Sequence, residues 1–123
     1  MVRENIPQQE DFSAVIEVSG QIGTFVKVAK TVDIPVGKMK HLEIDGVELL
    51  IANIEGRFYA VCDRCPHLNA LMSNGTLNNT IVICPRHLSS FDVITGRVIY
   101  GTHSNLQTYD VKVIDDDIFV DIG

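Results

Sequence analysis

From residue 40 to residue 122, short runs in which apolar side chains mostly fall at every second position are separated by two- or three-residue turn signals. A period of two is the strand value, and tight turns between such runs join antiparallel neighbours. In "KHLEIDG", Leu42 and Ile44 alternate with His41, Glu43 and Asp45, and Asp45-Gly46 supplies two residues that tolerate positive φ, as a tight hairpin requires. "VELLIANI" and "RFYAVC" flank Glu55-Gly56, with Val, Ile, Phe and Tyr filling both arms. "FDVITGRVIY" reads as a further hairpin turning at Thr95-Gly96. Tyr109, Val111 and Val113 then alternate with Asp110 and Lys112 before the "DDD" at 115 to 117 turns the chain into "IFVDI". No capped amphipathic helix of three turns is present; "NALMS" makes a single turn at most. The pattern predicts an all-β domain of small antiparallel sheets, with residues 62 to 77 and 84 to 90 as two loops lacking strand pattern. Internal repeats and low-complexity tracts are absent.

A chain of 123 residues is one domain, long enough for a real core and too short for a second catalytic one. Its net charge of -6 argues against nucleic acid, whose affinity rests on Lys and Arg neutralising phosphates. The N-terminal "MVRENIPQQEDFSA" lacks the apolar run of a signal peptide, and no stretch approaches the length of a membrane span, so a cytoplasmic location is expected. Three cysteines at uneven spacing do not make the framework of a disulfide-stapled secreted domain. In a reducing compartment, Cys beside His reads first as metal chemistry.

Two Cys/His pairs stand at the ends of "CPHLNALMSNGTLNNTIVICPRH": Cys65 and His67, then sixteen residues, 68 to 83, then Cys84 and His87. Both sit on the predicted loops, where chemistry held by a rigid scaffold is usually found. A mononuclear zinc site normally spaces the ligands of a pair by two to four residues so that both reach one tetrahedral ion. Only Pro66 separates Cys65 from His67. That spacing suits two adjacent metals, with each loop giving its Cys to one and its His to the other, as in a 2Fe-2S cluster; zinc and incidental core cysteines are the weaker readings.

Together "CPH" at 65 to 67, "CPRH" at 84 to 87, Phe91-Asp92 and Thr95-Gly96 resemble the Rieske iron-sulfur signature of Cys-x-His and Cys-x-x-His. The resemblance covers residues 25 to 123 and points to the soluble Rieske ferredoxins of ring-hydroxylating oxygenase systems. It implies an antiparallel β-sandwich or barrel with a small cluster-binding insert of two loops, at about residues 62 to 100. It further implies that Cys65 and Cys84 bind one iron as thiolates, while His67 and His87 bind the other through imidazole nitrogen. Two ferric ions, two sulfides and two thiolates sum to zero charge, whereas four thiolates would leave a dianion. The neutral centre takes an electron more easily, and potentials of about -150 to +300 mV replace the roughly -400 mV of plant-type ferredoxins.

Departures from the family pattern carry information. Ala70 and Arg86 stand where respiratory relatives have an additional cysteine pair, so that disulfide is ruled out. Ser89 matches a serine that donates a hydrogen bond to cluster sulfur, and Phe91 sits in the place of a second, tyrosine donor. Asn69 and Leu88 replace glycines that follow the ligand histidines; Asn tolerates the left-handed conformation. A third loop runs through "YGTHSN", with Thr102 where proline is common, and His103 there reads as a surface histidine. Cys62, of "CDRC", reads as a buried inert thiol at a strand end, and His41 as a solvated residue on the polar face of its strand. The "DDD" lacks the spaced ligands of a calcium loop.

The function implied is one-electron transfer between a reductase and an electron-accepting enzyme such as an oxygenase, with no reaction of its own and no small-molecule substrate pocket. A structural small subunit of the nitrite-reductase type, without a cluster or with zinc, is the alternative. Over residues 62 to 91 the charges are Asp63, Arg64 and Arg86, net +1 in a chain of -6. Leu68 and Leu88 each follow a ligand histidine. An apolar tip with a basic rim, Arg64, Leu68, Arg86 and Leu88, is therefore the expected partner-facing surface, unless the arginines pair with local carboxylates. Residues 1 to 24 precede the resemblance, and "AVIEV" within them is a candidate extra strand or association element.

Overall fold

The computed structural model describes residues 13 to 18, 21 to 66, 69 to 86, 89 to 101 and 104 to 123, with side chains from Thr24 onward. Among these residues the chain forms three four-stranded antiparallel sheets. The first orders β1 (Ser13–Val18), β2 (Gln21–Lys30), β12 (Asp117–Asp121) and β11 (Val111–Ile114). The second orders β10 (Thr108–Tyr109), β5 (Arg57–Cys62), β4 (Val47–Ile54) and β3 (Met39–Ile44). The third orders β6 (Thr76–Asn78), β7 (Ile81–Ile83), β8 (Ser90–Asp92) and β9 (Val98–Tyr100). Short 3-10 turns at Thr31–Asp33 and Met72–Asn74 are the helical elements described, the second overlapping the single turn read in "NALMS".

Strand β4 joins the two halves because it is buried on both faces, which is why "VELLIANI" is apolar almost throughout. Leu49 and Ile51 point into a core with Ile34, Ala60, Ile118 and Val120, between the first and second sheets. Leu50 and Ala52 point the other way, into a core with Val61, Met72, Val82, Phe91, Val93, Leu106 and both Cys65 and Cys84. Fully burying each such aliphatic side chain is worth about 1.5 to 3 kcal/mol, so a one-residue slip of β4 would forfeit both cores at once.

The turns fall where the dipeptides place them. Asp45 and Gly46 have φ of 51° and 81°, Glu55 and Gly56 of 55° and 92°, and Gly96 of 77°. Asp115, at 57°, opens the β11–β12 hairpin in which Ile114 faces Asp117. The loop boundaries differ from the sequence pattern. Strand β6 begins inside the predicted first loop, because Asn79 at φ 56° lets the polar "TLN" turn back onto β7. "AVIEV" does lie in a strand, β1, which pairs with β2 from Ser13↔Val26 to Val18↔Gln21.

Candidate metal centre

Each cysteine of the two pairs sits at the start of a loop closed in the same way. The Cys65 N–H donates to the Ala70 carbonyl at 2.8 Å, and the Cys84 N–H donates to the Ser89 carbonyl at 2.7 Å, each five residues on. In the first loop Asn69, at φ 59°, returns its own N–H to the Cys65 carbonyl at 2.7 Å, which is the left-handed turn that Asn accommodates. The second loop is the β7–β8 connection, with Ile83 facing Ser90 at its base. His67 and His87 fall within these two loops and lie outside the described residues, as do Leu68, Leu88, Thr102 and His103.

The structure brings the two thiols into one core. Cys65 and Cys84 are both buried and both free, and they share the cluster that Phe91, Met72 and Val82 fill. Burial pushes the Cys84 thiol up from its ordinary value. The Arg86 main-chain N–H, donating to the Cys84 sulfur, pulls it down, and the neighbouring Cys65 pushes it up again. Thiolates in such a place are costly unless a cation accompanies them, and a soft metal shared by both is the compensation the donor set fits.

Ser89 strengthens that fit. It is buried, yet its hydroxyl has no hydrogen-bond partner among the described residues, an uncommon state for a buried donor. The third loop closes over it at Gly101, where a Cβ would stand 2.6 Å from Ser89 Oγ and φ is 105°, so a side chain there is barred twice. Gly75 acts likewise under the second loop, since a Cβ there would overlap the Ile83 carbonyl oxygen and press on Pro85. Phe91 is fully buried in the same core as both cysteines, opposite Val82.

Two readings from the sequence are corrected. His41 is not a solvated residue. Its side chain is about one-third exposed, and its Nδ1 lies 2.6 Å from the carboxylate of Asp63, which is fully buried. Alternation places His41 opposite the apolar residues of β3, but the loop that follows β5 folds back against that face and brings Asp63 with it. Cys62 does end β5 but is half-buried, lining an open groove with Arg64, Pro66, Asn69 and Gln107.

Arg64 is engaged locally. It forks onto Glu48, Nε to Oε1 at 2.6 Å and a terminal nitrogen to Oε2 at 3.0 Å, while its other terminal nitrogen donates to the Asn69 carbonyl at 2.8 Å. The hydrogen bond from Arg64 holds the Glu48 carboxyl below its ordinary value, with desolvation opposing. Arg86 is exposed, and so is Pro85 beside it. The network of Asp63, His41, Glu48 and Arg64 joins residues 7 to 22 positions apart on three elements, a proximity that no local pattern discloses.

Residues 24–110 match the Rieske [2Fe-2S] domain family. The ferredoxin component of the naphthalene 1,2-dioxygenase system of Pseudomonas aeruginosa is 35% identical over 92 residues, 74% of this chain and 88% of that protein. The ferredoxin subunit of 3-phenylpropionate/cinnamic acid dioxygenase from Escherichia coli (strain K12) is 38% identical over 92 residues, 73% of this chain and 86% of its own. The ferredoxin of carbazole 1,9a-dioxygenase from Nocardioides aromaticivorans IC177 superposes with a TM-score of 0.75 at 27% identity, over 79% of this chain and 96% of that one. A chain from the complex of reduced oxygenase and oxidised ferredoxin in carbazole 1,9a-dioxygenase gives 0.75 at 28%, over 79% and 92%. By its matched length, its relatives and its fold, the chain belongs to the Rieske [2Fe-2S] domain family, and its cofactor is a Rieske-type 2Fe-2S cluster.

Proposed function

We propose that this chain is the ferredoxin component of a dioxygenase-type system, carrying single electrons from a reductase to an oxygenase-type acceptor and catalysing no reaction itself. The observation that carries the reading is that two free, buried thiols, Cys65 and Cys84, share one core at the bases of two loops closed by equivalent hydrogen bonds. In this reading Cys65 and Cys84 hold one iron and His67 and His87 hold the other. The bound cluster supplies a one-electron couple in the range of about -150 to +300 mV that imidazole ligation gives.

The surrounding residues tune and shield the site. The Arg86 N–H donates to Cys84 sulfur, and the Ser89 hydroxyl is free to donate to sulfur as well. Phe91 fills the space behind both cysteines and excludes water from the thiolate side. The chain divides into a base, the first two sheets, and an insert at about residues 62 to 100 that carries the centre, with residues 1 to 24 as an extension. Free thiols fit a cytoplasmic setting, where they stay reduced. Among the described residues no helix is long and apolar enough to cross a membrane.

The partner-facing surface is the loop tips, where Leu68 and Leu88 follow the histidines, together with the adjoining end of β9. A bulge opposite Ser90 and Phe91 shifts the register of β9, and Ile99 and Tyr100 stand 55% and 67% exposed immediately before the third loop. Arg86, exposed in the second loop, supplies positive charge on this side, whereas Arg97 lies in the β8–β9 turn at the other end of the hairpin. An electron-transfer partner with an apolar centre and acidic rim fits it. Arg64 contributes less, its charge being taken up by Glu48.

Anaerobic purification followed by iron and acid-labile sulfide assay, with absorption spectra before and after dithionite, tests the reading. Equal iron and sulfide with a reversible bleach is expected. Zinc alone, or no metal in anaerobically reconstituted protein, would turn the assignment toward a structural subunit.

A further inference from the structure

Asp63 is fully buried at the mouth of the first loop, and a carboxylate removed from water must be satisfied by donors. It has the Ser73 N–H at 2.7 Å, the Ser73 hydroxyl at 2.5 Å and His41 Nδ1 at 2.6 Å. The serine belongs to the loop itself, whereas His41 comes from β3, a strand of the base. A carboxylate only accepts, so Nδ1 donates. The other ring nitrogen faces Glu48 at 4.0 Å, and Glu48 in turn grips Arg64, which holds the Asn69 carbonyl inside the turn that Cys65 begins. His41 therefore lies against both carboxylates that fasten the segment from Asp63 to Ser73.

We propose that His41 is a positioning residue for the metal centre. By donating to Asp63 it ties the first loop to the base and offsets a negative charge two residues from Cys65, so it influences both how firmly the centre is retained and how readily it accepts an electron. The proposal rests on the assignment of Cys65 and His67 as ligands.

The two effects have separable signs. Without the His41 donor the Asp63 charge is less compensated, and adding an electron nearby becomes harder. Replacing Asp63 by Asn removes the charge, and adding an electron becomes easier. Loosening of the loop alone would move both variants alike.

The test uses the cluster-loaded full chain as wild type, His41→Leu, His41→Asn and Asp63→Asn, measured by redox titration and by the rate of iron loss to excess chelator. His41→Leu should lose iron about tenfold faster, a factor matching one charge-assisted hydrogen bond. Its potential should lie below wild type by at least a twofold change in the reduction equilibrium, about 18 mV at about 59 mV per tenfold. His41→Asn, whose amide nitrogen can donate from the place of Nδ1, should return both quantities to near wild type. Asp63→Asn should move the potential up. A His41→Leu protein with wild-type potential and iron retention, or potentials that shift the same way in His41→Leu and Asp63→Asn, would overturn the proposal. Cys65→Ala and His67→Ala proteins that keep the cluster would instead overturn the ligand assignment beneath it.

Discussion

Cys65 and Cys84 are buried among Leu50, Met72 and Phe91, while Cys62, only three residues before Cys65, is half-exposed on a groove. The same residue type thus occupies two environments, and the ligand assignment predicts opposite outcomes for them. Alanine at Cys65, His67, Cys84 or His87 should give protein without the 2Fe-2S absorption spectrum, and Cys62→Ser should keep it; loss in Cys62→Ser alone would mean the wrong thiol has been assigned. A finer prediction concerns hydrogen bonds to sulfur, which carries more negative charge in the reduced centre. Bonds to charged groups are worth about 1.5 to 3 kcal/mol. If half of that distinguishes the oxidation states, about 59 mV per tenfold gives roughly 30 to 65 mV. Phe91→Tyr should raise the potential by that amount and Ser89→Ala lower it, as read by redox titration. Shifts below about 10 mV in both would remove these residues from the account. The four candidate ligands, two cysteines and two histidines, are legible in the sequence from their spacing, as is Asn69 at its left-handed turn. The contact between His41 and Asp63 is not, because it spans 22 positions and depends on how the loop folds over β3.

Strands and loops transmit these local demands. The hairpins were legible because Asp45-Gly46, Glu55-Gly56 and Thr95-Gly96 meet a backbone requirement that few residues meet, whereas β6 was hidden because "TLN" is short and polar. Gly75 packs against Ile83, so Gly75→Ala forces the first loop away from the second. Overpacking of this kind costs about 1 to 3 kcal/mol, and a lowered unfolding temperature with weaker cluster retention is expected. The Arg64 and Glu48 clamp carries a pH dependence with a definite sign. Glu48 is depressed by Arg64, so its stabilisation is present above the unfolded carboxylate value and lost as pH falls through the lower, folded one. Hydrogen exchange of amides 63 to 74, corrected for intrinsic rates, should therefore rise on acidification in the wild type. The rise should be shallower in Glu48→Gln, and identical profiles would show that the clamp does not hold the loop.

Charge is unevenly divided over the whole molecule. From residue 64 to residue 107, Arg64, Arg86 and Arg97 stand against Asp92, +2, so the remaining residues carry -8 of the total -6. Arg64 is already paired with Glu48 and Arg97 lies in the β8–β9 turn, so the charge expected to orient an acidic partner toward the centre is that of the exposed Arg86. Transient redox complexes use small interfaces, under about 1,200 Å2, in which rim charges mainly set association rate and salt dependence. Arg86→Glu should slow electron transfer to an acidic partner most strongly at low salt. Arg64→Glu should act chiefly by releasing the first loop, since its charge is already paired. An unchanged low-salt rate in Arg86→Glu would place docking elsewhere. At this scale the all-β class is legible from periodicity and the two-loop insert from the family resemblance, but the double burial of β4 and the exposure of Ile99 and Tyr100 by a bulge depend on sheet packing. Histidine and cysteine from both loops are expected to share one binuclear centre. Pulsed EPR of the reduced protein, grown with 15N-histidine, tests it most directly. The account predicts two strongly coupled histidine nitrogens, one lost with each of His67→Ala and His87→Ala if any cluster survives the substitution. A paramagnetic 2Fe-2S signal with no coupled histidine nitrogen in the wild type would contradict it.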